Sequence, residues 1–455
     1  MSVVSAISVG SVSHRRRLVS LAYPVYFELL AGVAAGVINM VWVARLGGDS
    51  VAAVAVATNV ENLLLGLILM AGTGTTVLVA RARGAEDPGG IRAAVRGGWA
   101  LWALITPVVA VGGYLCREPL ARLVLGGADA RVLALACGYF AIALPGTAVF
   151  FATNVVDGIL KGTGDTRTPM RLAFLANALI LVLDPLLILG CGLGVRGAAL
   201  ATVTGRAAAL AVGLRALRRD PHLRAARRAA ARGSRAAALR RTFATGLPMS
   251  LDFVVRMAGA LALVAVVARI GVGEVAAYGI ATKAMYTATM AFYAVRQAAS
   301  LHTAHLLGAG RDERFAVGRA AVLLSGGLGL TAALLLLVTA PWIMAAFGAT
   351  GQVAAAGALY LRCLGPYLVL LCVVIALGGV FQGGGGSPAL AGITASGVAL
   401  QLPLALGLSG LGLPGICLAM ALSMGLQCAA VVRMHRRLRT AGQRTSTEKT
   451  LARTC

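Results

Sequence analysis

What this chain can fold into is set first by its apolar runs. Stretches of ~20 or more largely apolar residues, the length that carries a helix across bilayer hydrocarbon, recur from end to end. Twelve can be drawn, over residues 18–46, 50–80, 93–116, 130–160, 169–190, 197–217, 242–269, 274–307, 315–346, 353–381, 388–408 and 412–434. So much continuous apolar sequence cannot be hidden in a soluble core. Lipid requires every backbone polar group to be satisfied internally, so each run reads as a helix. Only 13% of residues are charged, about half the ~25% of a soluble domain. The sequence predicts an all-α integral membrane protein with twelve transmembrane helices.

The net charge of +25 raises nucleic-acid binding, but its distribution argues for topology instead. Arg15 to Arg17 precede the first run, Arg81 to Arg96 flank the second gap, and Lys161 to Arg171 flank the fourth. The segment from Arg215 to Arg241 and the tail from Arg433 to Arg453 supply most of the rest. These are the termini and alternate loops, and basic residues mark the cytoplasmic side. Both termini are therefore expected inside, with membrane lipid and no nucleic acid as partner. The basic cluster follows Met1 to Gly10 rather than preceding it, unlike a cleavable signal peptide. The eight cysteines form no CxxC pair and read as small packing residues, Cys455 included.

The chain also repeats itself. "YPVYFELL" from Tyr23 overlies "LPMSLDFV" from Leu247, pairing Pro24 with Pro248 and Glu28 with Asp252, 224 residues apart. At the same offset "ARLGGDSVAAVAVAT" from Ala44 overlies "ARIGVGEVAAYGIAT" from Ala268. Later landmarks drift slightly: Tyr139 overlies Tyr360 and Lys161 overlies Gln382 at 221, and Gly192 overlies Gly410 at 218. Each copy holds six runs, so the second starts on the same side as the first. Parallel repeats of this kind suit alternating access around a central cleft. The expected division is a six-helix bundle over 1–216, a basic linker over 217–240, a second bundle over 241–434 and a basic tail over 435–455.

The segments "RLGGDSVAAVAVA", "GTGTTVLVARARGA", "LKGTGDTRTPM", "VLDPLLILGCGLGVRGAALAT" and "LGAGRDERFA" resemble the multidrug and toxic compound extrusion (MATE) family of antiporters. The resemblance runs from about Leu18 to Arg433. It implies cation-coupled export of small, amphipathic organic compounds without catalysis, by a chain acting as a monomer in the plasma membrane. It implies no cofactor beyond the transported proton or sodium ion. In relatives an acid commonly stands in the first span, where this chain has Asn39. Another stands in the fifth, matched by Asp184, and a threonine in the sixth, matched by Thr202. A relative's fifth-span Asn is replaced here by Ile180, with Asn177 one turn earlier. With one acid left in that cluster, protons are favoured over sodium, which usually wants several oxygen ligands. The alternative is a lipid-linked oligosaccharide flippase of a related superfamily.

Spacing reaches the same cluster independently. Asn39, Asp184 and Thr202 lie seven, six and five residues from Leu46, Gly190 and Gly197. At 1.5 Å per residue that is about 8–10 Å below the outer boundary. Tyr139 is slightly deeper, and Asn177 shares the Asp184 face. A carboxylate in a low-dielectric cavity can cycle between protonated and ionised forms, and Pro185 weakens the helix beside it. The structural alternative is that Asp184 pairs with Arg206 or caps a helix kink.

Intramembrane ionisable residues are functional candidates by default, which adds Glu28, Glu61, Asp157, Asp252 and Lys283. Against that, Asp252 can bridge Arg256 one turn on, and Asp157 lies four residues from Lys161, near solvent. In-span charges are mostly acidic in the first copy and basic in the second, where Arg256, Lys283, Arg296 and Arg362 outnumber Asp252. That asymmetry predicts a cleft with an acidic and a basic wall. His302 and His305 share a helix face but lack a third ligand, so no metal site is expected.

Overall fold

A computed structural model describes residues 2–125, 130–386 and 388–454; Cys455 lies outside them. The described residues form helices and no strands. The principal ones are α1 (Ser2–Ala44), α2 (Gly48–Gly84), α3 (Pro88–Pro107), α4 (Arg117–Leu125), α5 (Ala130–Gly162), α6 (Arg167–Pro185), α7 (Val195–Arg219) and α8 (Pro221–Arg228). They continue as α9 (Arg235–Ala268), α10 (Val272–Gly308), α11 (Arg314–Ala346), α12 (Gly351–Cys363), α13 (Gly365–Gly383), α14 (Pro388–Gly407) and α15 (Leu413–Thr454). Among the described residues, eleven helices are long and apolar enough to cross a membrane. Of the twelve expected spans, α10 is the one outside that set. It has 37 residues, but its Ala, Gly, Thr and Tyr, with Lys283 and Arg296, lower its hydropathy. Large side chains stand bare on outer faces, such as Val108, Val182 and Leu323, each more than 60% exposed. Such faces suit lipid, which is as apolar as they are.

The chain divides into two compact units. The amino unit is Phe27–Ser250, and the carboxy unit joins Met1–Tyr26 to Leu251–Cys455. The boundaries therefore differ from those expected at residues 216 and 241. They fall inside α1 and α9, after Tyr26 and after Ser250, and these two points are themselves 224 residues apart. The basic segment 217–240 is no free linker either. Asp220 caps α8 by accepting from the Leu223 N–H at 3.0 Å, with Pro221 at the first helical position. Leu223 and Ala226 then bury in an amino-unit core with Ile159 and Leu217.

Tertiary contacts reproduce the repeat inside each unit. A Cβ at Gly158 would collide with the Gly72 carbonyl, and one at Gly379 with the Arg296 carbonyl. A Cβ at Gly162 would collide with the Val79 side chain of α2, and one at Gly383 with the Ser300 carbonyl of α10. Both close crossings, α2 on α5 and α10 on α13, need bare backbone, as small-residue helix packing does in membranes. The turns match too. Gly164 and Gly385 have φ of 84° and 110°, and Gly194 and Gly412 have 54° and 68°. Pro185 and Pro107 each end a regular helix, and a π-helical turn follows (Leu186–Gly190 and Val108–Gly112). Proline removes one backbone bond, and the wider turn absorbs the misfit.

Candidate functional site

Asp184 sits at the last turn of α6, directly before that π-helical irregularity, and is fully buried. Its Oδ2 accepts from Asn39 Nδ2 on α1 at 2.9 Å. Oδ1 is buried with no hydrogen-bond partner among the described residues. Arg206 is not its partner, which removes that arm of the structural alternative above. The Arg206 guanidinium lies 3.9 Å from the centre of the Phe150 ring, because α7 turns it toward α5. An aspartate held by one neutral amide is an expensive arrangement when ionised and a cheap one when protonated.

Beside it, Glu61 from α2, Tyr139 from α5, and Thr202 and Arg206 from α7 line one small cavity of about 20 Å³. Tyr139 and Glu61 share that lining, with Asp184 a charged neighbour of Tyr139. The expected outer cluster is thus assembled within the amino unit from α1, α2, α5, α6 and α7. A cavity of ~15 Å³ admits roughly one water, so this space suits protons and water rather than a drug. Asn177 stays apart; it is half-buried and makes no side-chain hydrogen bond among the described residues.

A second polar cluster lies toward the Gly162 end of α5. Lys161 is buried and donates to Glu28 Oε1 at 2.7 Å. Asp157 is half-buried, with Glu28 and Lys161 as its charged neighbours. Glu28 Oε2 and Asp157 Oδ1 are buried without hydrogen-bond partners among the described residues. Lys161, read from sequence only as a flanking topology signal, is the residue that organises this group.

In the carboxy unit the repeat mate of Glu28 is saturated. Asp252 accepts from Arg296 at 3.0 Å, from Thr394 Oγ1 at 2.6 Å, and from Arg256 Nε through both oxygens at 3.3 Å. Glu28, Arg256 and Arg296, counted toward the expected acidic and basic walls, find partners within their own units. Lys283 is exposed and forms no ion pair among the described residues. His302 accepts or donates to His14 at 2.9 Å, and His14 also contacts Glu313 at 2.9 Å. Sequence reasoning counted Arg296 among the in-span charges without pairing it to Asp252, 44 residues away, and missed Thr394, 142 residues away.

Such a fold, two parallel repeats of membrane-spanning helices with ionisable residues buried inside each unit, is that of the MATE transporters. It superposes on a crystal structure of MATE in complex with MaL6 with a TM-score of 0.87, at 23% identity, covering 94% of this chain and 97% of that one. The outward-facing form of a multidrug resistance MATE family transporter of the MOP superfamily gives 0.87 at 22% identity, with the same shares covered. Residues 24–186 and 248–407 match the sequence model of the MatE family, and the chain belongs to that family. The probable multidrug resistance protein YoeA of Bacillus subtilis is 28% identical over 289 residues, 61% of each chain. DNA damage-inducible protein F of Escherichia coli is 32% identical over 221 residues, 47% of this chain and 46% of that protein. The alignments thus span less than two thirds of these curated relatives.

Proposed function

We propose that this protein is a proton-coupled antiporter that exports small amphipathic organic compounds across the plasma membrane, with both termini cytoplasmic. Relatives named as probable multidrug resistance proteins support the substrate class. One observation carries the coupling: Asp184 is fully buried, bound by a single neutral amide, with its second oxygen unpartnered among the described residues. Ionised, it attracts a cation; protonated, it is neutral and suits its surroundings. A proton arriving from the outer side therefore competes with a cationic compound for the same region. Discharge of the carboxylate changes what Asn39 can donate to, next to the weakened end of α6. Sodium is the less favoured ion, because Asn39 stands where a second carboxylate would supply an oxygen ligand.

Asp184→Asn mimics the neutral acid permanently. In inverted vesicles driven by a pH gradient, the variant should insert at the wild-type level, yet its export of a cationic dye should fall to that of empty vesicles. Export by the variant at the wild-type rate would make Asp184 structural. A wild-type rate that ignores collapse of the pH gradient and follows sodium would overturn the choice of ion.

A further inference from the structure

The basic segment between the repeats closes a cavity on the amino unit. Helices α3, α5, α7 and α8 enclose about 340 Å³ there, and every lining residue belongs to that unit. Arg92, Arg96 and Trp99 stand three to four residues apart on α3 and so share one face. Arg218 comes from the last turn of α7 and Arg227 from the last turn of α8. The rest of the wall is apolar. Leu214 belongs to it and is also 37% exposed, so the cavity reaches the outer surface of the bundle.

Four guanidiniums and no carboxylate line this space. Arg92 Nη1 donates to the Arg227 and Ala229 carbonyls at 3.1 and 2.6 Å, and Arg227 Nη2 donates to the Leu217 carbonyl at 3.2 Å. Those bonds pin α8 against α3 and α7 without neutralising either charge. Arg96 is half-buried and Arg218 is exposed, and neither side chain has a hydrogen bond or ion pair among the described residues. Arg92 and Arg96 also repel one another, being like charges four apart on a helix. The shared fold does not require this wall. At the offset of 224, Arg92, Arg96 and Trp99 give way to Ala316, Ala320 and Leu323 on α11. What the second copy builds from uncharged residues, the first builds from cations around a cavity.

The level of the cavity in the membrane follows from α8. Leu223 and Ala226 are buried, whereas Arg224, Arg227 and Arg228 are exposed, the pattern of an amphipathic helix lying in the interface. Lipid phosphates lie at that level. We propose that the cavity is a binding site for one anionic phospholipid. Its phosphate meets Arg96 and Arg218, its glycerol lies against Trp99 and the apolar wall, and its acyl chains leave past Leu214. A space of ~150 Å³ holds one benzene ring, so the larger cavity here has room for a phosphate with its glycerol. A free phosphate would leave the apolar wall uncovered, and a zwitterionic headgroup would bring a quaternary ammonium that the arginines repel. Bound there, the lipid braces α3 against α7 and α8. That it comes from the cytoplasmic leaflet rests on the proposed topology; the site itself does not.

The test is lipid titration of the purified, delipidated full-length protein in detergent, with bound lipid counted by native mass spectrometry. The probes are phosphatidylglycerol, phosphatidylcholine with the same acyl chains, and inorganic phosphate at matched ionic strength. Phosphatidylglycerol should bind roughly tenfold or more tightly than phosphatidylcholine, and excess inorganic phosphate should not displace it. Arg96→Gln/Arg218→Gln should bring the two lipids to within about twofold of one another. Arg219→Gln/Arg228→Gln removes the same charge from exposed positions outside the cavity and should keep the preference. If the first double variant does not fold, the exposed Arg218→Gln alone should lose roughly threefold or more of the preference. Equal binding of the two lipids to the wild type would overturn the proposal. So would equal losses in the two double variants, which would make the attraction a property of the whole face. Displacement by inorganic phosphate would also overturn it, because the occupant would then be a free anion. Any of these results alongside intact dye export removes this site alone. A lipid preference that depends on Arg96 and Arg218, in a protein that exports nothing under any gradient, removes the export reading alone.

Discussion

At the scale of single residues, burial without an opposite charge separates Asp184 from Asp252. Asp252 is held by two guanidiniums and a hydroxyl, whereas Asp184 is held by one amide. The first arrangement fixes a charge; the second leaves the carboxylate with no opposite charge beside it. Lys161 gives a further test of the same physics. Removing one partner of a buried pair typically costs about 3–5 kcal/mol, because the remaining charge is stranded. Lys161→Met should therefore lower the thermal unfolding midpoint in detergent markedly, and the double variant Lys161→Met/Glu28→Gln should recover most of the loss. A single variant as stable as wild type would show that the pair with Glu28 contributes nothing. Glu86 offers a gain instead. It has a φ of 50° and is exposed, while Gly310 takes that position in the second copy. Left-handed geometry costs a side-chain-bearing residue about 1–2 kcal/mol, so Glu86→Gly should raise the midpoint slightly, as measured by the same melt.

At the scale of elements, the helices meet where the chain has no side chain to keep them apart. Gly158 and Gly379 bring α5 onto α2 and α13 onto α10 at backbone distance. Gly158→Val and Gly379→Val should each destabilise by about 1–3 kcal/mol through overpacking. Gly327, in the middle of α11, has nothing within 4 Å of an added Cβ. Gly327→Ala should instead stabilise by about 0.5–1 kcal/mol, the helix-propensity difference. Melting the three variants side by side checks both signs. Equal behaviour at all three positions would mean the crossings are looser than drawn. The same logic explains α6, where Pro185 and its π-helical turn interrupt regular backbone beside the one carboxylate proposed to change its charge.

At the scale of the whole molecule, each compact unit contains chain from both halves of the sequence. Leu18, Leu21 and Val25 of α1 are at most 5% exposed and belong to the unit that otherwise begins at Leu251. In return, Ser250 of α9 donates to the Gly66 carbonyl at 2.6 Å in the amino unit. Fragments cut at Gly233, in the turn before α9, should therefore misassemble when expressed separately. Co-expressed, they should copurify as one complex. Recovery of either fragment alone as a stable, monodisperse protein would contradict this exchange of helix ends.

Hydropathy and repetition were legible in the residues themselves, because span length and sequence similarity are local properties. They yielded the membrane-spanning class and the two copies, and the expectation that Asn39, Asp184, Thr202 and Tyr139 lie near one depth. Even the cap of α8, Asp220 followed by Pro221, stood in the sequence, although the basic composition around it suggested a linker. The partners were not legible. Lys161 meets Glu28 across 133 residues, and Arg296 meets Asp252 across 44. A one-dimensional count of acids and bases predicted opposed walls where the units neutralise much of their charge internally. The crossing of α1 and α9 between units was equally hidden, since a helix looks the same in sequence whichever neighbour its two ends touch. Sequence determined which stretches must leave water. Tertiary structure decided which buried charges are paired and which are left without an opposite charge, because that depends on distances between helices far apart along the chain.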